Sequence, residues 1–596
     1  MTRLALLISL LLCLTFPGLA QKKTTSSLCT RDNALDTAKQ QVLITRTFDN
    51  TVHRITVLVR AADLLWPHDQ EKSLAAFMEA FDLAVANFKE KGDQTQRASG
   101  SQFAAVITVP DQRFTVIAAL ARRDPARARK LSEQMLGDDA RETADKPATG
   151  DQSDQAKRRT AEKLLTMAHG LAAADPPSAA NFARQSFRYP ATLQLPMFLY
   201  ELAKSNRQLA DVFYVDALNA YGAAPMDQFL YLSSYPFANN REAGEMPGYT
   251  FYAVPEGFTP NRALQRVFVK ALLDRIDGAM ELPVQEAPQY RYSDHAQMWL
   301  ALNRLEKQVQ SDLPEFADAV ARSKDKLFAL LTPNAQRNVN RVIDTDNTPK
   351  KSFDEQVEAA EKLTDVGRRD QGFVFAVTGS SKDEPVDKVL SVIDKISESS
   401  IRDSLLNWFY YFRSQQLIKD KNYSEARKLA GKVNELDQRA YLFTRIAEES
   451  LKADEDQTQA REMLNEVAQT IGKAPKTIVS ARALLALAHL YAKVDMNRGV
   501  EELGNAVRTI NAIESPDFSR QFVMMKIEGK TFGSYASYST PGFNPENAFR
   551  EMGKLDFDGS LAQATNFSDK SLRALTTLAV IEPCLTTIRA PKTKKP

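Results

Sequence analysis

The sequence predicts an all-α protein: an α-solenoid, a superhelical array of antiparallel helix pairs, interrupted by two aromatic-rich Pro/Gly loops. Three observations carry that reading. The string Ala-Arg-Lys-Leu at 128–131 returns at 426–429, and a near copy beginning at Ala460 starts 34 residues after the second. Apolar residues hold helical period through most of the chain. Two longer stretches then repeat at fixed offsets, 320 and 286 residues apart. Self-similarity at the length of a helix–turn–helix unit marks arrays in which no unit buries its apolar face alone. At 596 residues the chain is also longer than one hydrophobic core usually organises.

The N-terminus reads as a leader rather than as part of the fold. Arg3 is followed by an apolar run over 4–16, broken only by Ser9 and Thr15, and Gly18-Leu19-Ala20 closes it with small residues. That is the pattern of a signal peptide, residues 1–20, cut after Ala20. A membrane-spanning helix needs about 20 apolar residues, so the run is too short for one, and no later segment approaches that length. Cys13 lies inside the run and no cysteine follows the cut directly, which argues against a lipid anchor. The expectation is an exported protein, periplasmic or secreted, whose residues 21–28 form a polar stalk.

Cleavage leaves two cysteines, Cys29 and Cys584, one near each end of the body. An even number in an oxidising compartment favours a disulfide. A straight array argues otherwise, because helices stacked about 8–10 Å apart over a dozen pairs separate the ends by about 100 Å. A disulfide needs Cα atoms within about 7 Å. Pairing therefore demands a closed or curled array, and two buried thiols are the alternative.

Net charge is +2, and the seven cations Arg3, Lys22, Lys23, Arg589, Lys592, Lys594 and Lys595 lie outside the body, which without them stands at about −5. A nucleic-acid binder would show a basic face, so none is expected. Residues 589–596 read as a basic disordered tail.

The body divides into an N-terminal helical half (29–332), a linker (333–354) where the helical pattern breaks, and a C-terminal helical half (355–588). Phe77, Phe81, Ala84 and Phe88 share one helix face, and Ala426, Leu429, Ala430 and Val433 another. Segments 91–101 and 137–160, rich in Gly, Asp, Thr and Lys, read as loops. Ala161, Leu164, Leu165, Ala168, His169 and Asp175 recur as Ala481, Leu484, Leu485, Ala488, His489 and Asp495. Tyr249, Tyr252, Pro255, Gly257, Phe258, Pro260 and Ala263 recur, with one residue deleted, as Tyr535, Tyr538, Pro541, Gly542, Phe543, Pro545 and Ala548. The two offsets differ by 34 residues, one helix pair. Two halves of common plan are expected, the first enlarged by a pair near 193–221, with a short strand at 249–254.

Asn422-Tyr423-Ser424-Glu425-Ala426 resembles the inter-helix turn and small-residue position of tetratricopeptide repeats, and Ala488 with Tyr491 resembles that family's first-helix positions. The likeness is clearest over 415–512, and the family's Trp and closing Pro are mostly absent. It implies a concave scaffold that binds peptides or proteins and implies no chemistry. The whole chain also resembles exported bacterial helical-repeat proteins.

No constellation points to catalysis. The histidines His53, His68, His169, His295 and His489 form no His-x-x-x-His or His-Glu-x-x-His pair. His169 and His489 read as a repeated packing position, with a metal or acid–base pair as the alternative. Asp344, Asp346, Thr348, Lys350, Ser352 and Glu355 fit a calcium-loop spacing, but Pro349 occupies the position that needs glycine. Ser323 and Lys326 match Ser-x-x-Lys without its partner motifs. No catalytic residue, metal ligand or cofactor is expected. Trp299 and Trp408 read as core, and Trp66 as closing a helix.

The paired loops supply the candidate binding residues: Tyr249, Tyr252, Phe258, Tyr535, Tyr538 and Phe543. Held by proline and glycine, they would present a rigid amphipathic surface, or fold back as plugs. The resulting expectation is an exported helical-repeat scaffold or binding protein with a protein or peptide partner, a polysaccharide being the other partner class. Two alternatives stand beside it. One is an α/α-toroid carbohydrate-active enzyme using paired carboxylates; the other is a structural envelope or secretion component.

Overall fold

The computed structural model describes residues 28–586 except 93–94, 98–105, 109–110, 146–150, 239–253, 282–291, 348–350, 453–456, 519–521, 531 and 541–542. The leader, most of the stalk, the basic tail, Tyr249, Tyr252 and the strand expected from 249 lie outside the described residues. The fold is an all-α solenoid of helices packed in adjacent pairs. By its contacts the chain forms two units, residues 79–359 and residues 1–78 with 360–596. Residues 28–78 therefore belong with the C-terminal segment, not with an N-terminal half.

In the 79–359 unit the pairs are Gln112–Ala121 with Pro125–Asp145, Asp151–Leu171 with Pro176–Arg184, and Gln194–Ser205 with Arg207–Tyr221. First helices pack on first helices and second on second, which gives two layers. Short helical turns over 226–237 lead to Arg262–Met280, followed by Asp294–Asp312, Pro314–Leu330 and Pro333–Asn347. Two readings are corrected here. Most of 137–160 is helix, because Ala, Arg, Glu and Asp over 138–145 are compatible with helix and only Gly137 interrupts them. Residues 333–347 of the expected linker are also helix. Pro333 starts it, since proline at a first helical position removes a donor that has no intrahelical partner anyway. Asp344 and Asp346 thus stand on a helix and not in a calcium loop.

In the other unit, Val366–Thr378, Ser399–Lys419, Leu436–Lys452, Ile478–Val494, Pro545–Leu555 and Lys570–Thr586 carry the array, with Val386–Ile393, Tyr423–Ala430, Gln457–Gly472, Met496–Asn511 and Phe557–Thr565 between them. The last helix packs against Arg31–Ile44 and Thr51–Leu65, and Cys29 and Cys584 form a disulfide with Cα atoms 5.4 Å apart. Arg60 donates to Glu582 at 2.5 Å beside them. Trp66 caps Thr51–Leu65, and Trp299 is buried.

One turn recurs within pairs. Asn206, Asp495 and Asp556 each end one helix and cap the next from an extended conformation, φ −154°, −157° and −139°. Each side chain accepts the backbone N–H three residues on, at 3.0 or 3.1 Å. Asp175 caps Pro176–Arg184 in the same way, so the matched Asp175 and Asp495 hold equivalent places. The Ala/Leu/Leu/Ala stripes before them are buried in both units.

No helix among the described residues is long and apolar enough to cross a membrane.

Candidate functional site

The aromatic loops come first, because the sequence nominates them. Phe258 is half-buried: its ring lies edge-on to Tyr200 and Tyr235 at 5.0 and 5.3 Å, with the Arg207 guanidinium 4.2 Å above it. Asp211 ties the cluster together, accepting from the Tyr235 hydroxyl at 2.7 Å and from Arg207 and Asn261 at 2.8 Å. Burial, then the hydrogen bond to Asp211, holds the Tyr235 hydroxyl far above the ordinary tyrosine pKa. Asn261 in turn caps Arg262–Met280. This Phe is therefore a plug that fixes where the loop rejoins the helices. Phe543 is buried in the core of the other unit, 6.2 Å from the ring of Tyr441, and offers no surface.

The second loop also begins as a strand. Gly533–Ser539 pairs antiparallel with Phe522–Glu528, setting position 535 opposite exposed Lys526 and position 538 opposite buried Val523. Tyr535 and Tyr538 therefore stand on a strand of the hairpin and not in a loop, and their side chains lie outside the described residues. The hairpin is held by a buried amide relay in which Asn407 donates to Gln438 at 2.6 Å and Gln438 donates to the Met524 carbonyl at 2.8 Å.

The histidines hold separate places. His169 is exposed and His489 half-buried, with burial, then the nearby Lys493, lowering its pKa. Among the described residues no three His, Cys, Asp or Glu side chains gather as a metal site.

The concavity with convergent chemistry lies in the first-helix layer of the 79–359 unit. Its two walls are Gln112–Ala121 and Asp151–Leu171, Gln194 also lines it, and the open cleft between them has a volume of about 520 Å³. Arg113 anchors the first wall. Its guanidinium lies 3.4 Å over the Phe88 ring and pairs with Asp111 at 2.9 Å and Asp139 at 2.7 Å. Burial alone would lower its pKa, but its hydrogen bonds to the two carboxylates outweigh that and raise it, so the charge is fixed.

With that helix held, Phe114, Thr115, Ala118 and Arg122 turn one face to the cleft. From the other wall Arg159, Lys163, Thr166, Met167 and Gly170 follow one another at helical spacing. The Ala161/Leu164/Leu165/Ala168 stripe occupies the opposite, packed side, which leaves this face outward. Phe114, Met167 and Leu171 make an apolar floor, and Arg122, Arg159, Glu162 and Lys163 a charged rim. The Lys163 ammonium lies 5.4 Å from the Phe114 ring centre. Burial raises the Glu162 pKa against the pull of Arg158 and Arg159.

Gly170 matters to the shape. A Cβ built on it meets nothing within 4 Å, so the space in front of it is open. An apolar floor with a few polar and charged groups at its edge is what a binding cleft of this size needs. Sequence reasoning missed it because residues 137–160 read as a loop, which cut Arg159 away from its helix. The legible signal was the cationic face interrupted by Met167 and Gly170, where a solvated face would carry more charge.

No family model matches the chain, and no curated protein matches it in sequence. A structural comparison pairs it with a chain described as a "Circular tandem repeat protein with novel repeat topology and enhanced subunit contact surfaces", over 92% of this chain and 96% of that one, at 11% identity and a TM-score of 0.22. A superposition that loose carries no argument about fold or function.

Proposed function

We propose that this chain is an exported helical-repeat binding protein, a scaffold that holds a peptide segment of a protein partner in the cleft of its 79–359 unit. The observation that carries the reading is the cleft itself: an apolar floor of Phe114, Met167 and Leu171 inside a polar rim, opened by Gly170. Repeat arrays of helix pairs present extended surfaces of this kind and need no catalytic group to use them. Export is supported by the apolar run over 4–16 ahead of Gly18-Leu19-Ala20, and by the Cys29–Cys584 disulfide, which suits an oxidising compartment.

Gly170→Leu tests the reading. The new side chain enters open space, so the fold should be kept, while the cleft loses the volume an apolar anchor would fill. Fluorescence anisotropy with pooled eight-residue peptides carrying a central Leu or Phe should show at least tenfold weaker binding to the variant, with its thermal midpoint unchanged or raised. Equal binding by both proteins would remove the cleft from consideration.

A further inference from the structure

We infer that the cleft selects an acidic peptide segment, one that sets an apolar side chain on the Phe114/Met167/Leu171 floor and its carboxylates on Arg122 and Lys163. The inference rests on the proposed peptide-binding function and names its ligand class. Three cations face one carboxylate, Glu162, at the rim. Residues 29–586 as a whole carry an excess of acid, so the cleft inverts the charge of the body around it.

Several neighbouring cations are matched with acids. On the same helix Lys157 pairs with Asp154 and Arg158 with Asp227, and on Pro125–Asp145 Arg129 pairs with Glu133 and Arg141 with Asp138. Among the described residues neither Arg122 nor Lys163 has a carboxylate within ion-pair distance. Exposed Lys130 on Pro125–Asp145 also lacks an acid partner among the described residues, so what sets Arg122 and Lys163 apart is their place beside the apolar floor of the cleft.

The floor decides between ligand classes that share the same charge. An acidic polysaccharide would need hydrogen-bonding groups along its ring edges and a flat aromatic platform. Phe114 is the floor's one aromatic ring, and Met167 and Leu171 beside it make no flat platform, whereas a Leu, Met or Phe side chain packs on them directly. Thr115, Thr166 and Gln194 stand at the edge, where a peptide main chain needs donors and acceptors. Charge complementarity of this kind sets preference and encounter rate more than raw affinity, and it weakens with salt.

Three pools of eight-residue peptides, identical but for their charged positions, test this on the full chain: Asp/Glu, Asn/Gln and Lys/Arg, each with a central Leu or Phe. The acidic pool should bind at least tenfold tighter than the amide pool at low salt, and the margin should shrink as salt rises. Lys163→Glu should bring the acidic pool's affinity down to the amide pool's or below it. Equal binding of the acidic and amide pools, both abolished by Gly170→Leu, overturns the acidic preference and keeps the peptide-binding function. Binding of a polyuronate with no peptide pool bound overturns both, as does equal binding of every pool to wild type and Gly170→Leu.

Discussion

Gly170 and Gly499 both interrupt helices, and the same substitution should move stability in opposite directions. An added methyl at Gly170 meets nothing, and Ala outranks Gly within a helix, so Gly170→Ala should stabilise by about 0.5–1 kcal/mol. At Gly499 the same methyl would lie 2.8 Å from Ala492 on the partner helix, where Ile478–Val494 and Met496–Asn511 cross closely. Gly499→Ala should therefore cost about 1–3 kcal/mol, as overpacking does. Urea denaturation of the two variants separates them, and a stabilised Gly499→Ala would mean that the helices give way easily. Nothing in the sequence distinguishes these glycines. One follows His169 and the other Arg498, and only the neighbour across the turn decides what each is for.

At the scale of elements the caps and stripes were legible and the exceptions were not. The repeat of Asp175 as Asp495 fell out of the 320-residue match, and both residues cap the second helix of a pair. Asp495→Ala should cost about 1 kcal/mol, since it strips an acceptor from the Arg498 N–H and leaves the pair to hold its turn by packing alone. A denaturation midpoint unmoved by this change would show that the Gly499/Ala492 contact fixes the turn by itself. Pro333 and Gly137 were misleading for a shared reason: each is a breaker by habit, but proline at a first turn starts a helix, and one glycine in a good helical sequence is tolerated. The hairpin was harder. Val523, Met525 and Ile527 are buried in alternation with Lys526, a two-residue period present in the sequence, yet its pairing with Gly533–Ser539 carried the Tyr535/Tyr538 match out of the loop class. A helix start hidden inside 137–160 is why the cleft was not found from residues alone.

Over the whole molecule, the unit of residues 1–78 and 360–596 is discontinuous in sequence, and its first and last helices meet only after everything between them has been made. The two N-terminal helices are not equally equipped for that meeting. Thr51–Leu65 buries Ile55, Val57, Leu58, Ala61, Ala62, Leu64 and Leu65, enough apolar surface to dock unaided. Arg31–Ile44 buries only Ala34, Ala38 and Gln41, while Leu43 and Ile44 stay exposed. Its attachment to Lys570–Thr586 rests on this stripe, on half-buried Leu35 and Val42, and on the Cys29–Cys584 bond. A covalent tie restricts the undocked state more than it strengthens the docked one, and such bonds contribute about 2–4 kcal/mol. In the double variant Cys29→Ser/Cys584→Ser, amide hydrogen exchange should accelerate at least tenfold across Arg31–Ile44 and stay near wild-type rates in Thr51–Leu65, with Ile478–Val494 as the internal reference. Equal acceleration in both N-terminal helices would mean that they dock as one piece and that the apolar face of Thr51–Leu65 is insufficient. Unchanged exchange in Arg31–Ile44 would mean that its small buried stripe holds it without the bond, and that the two cysteines report the compartment rather than secure the fold.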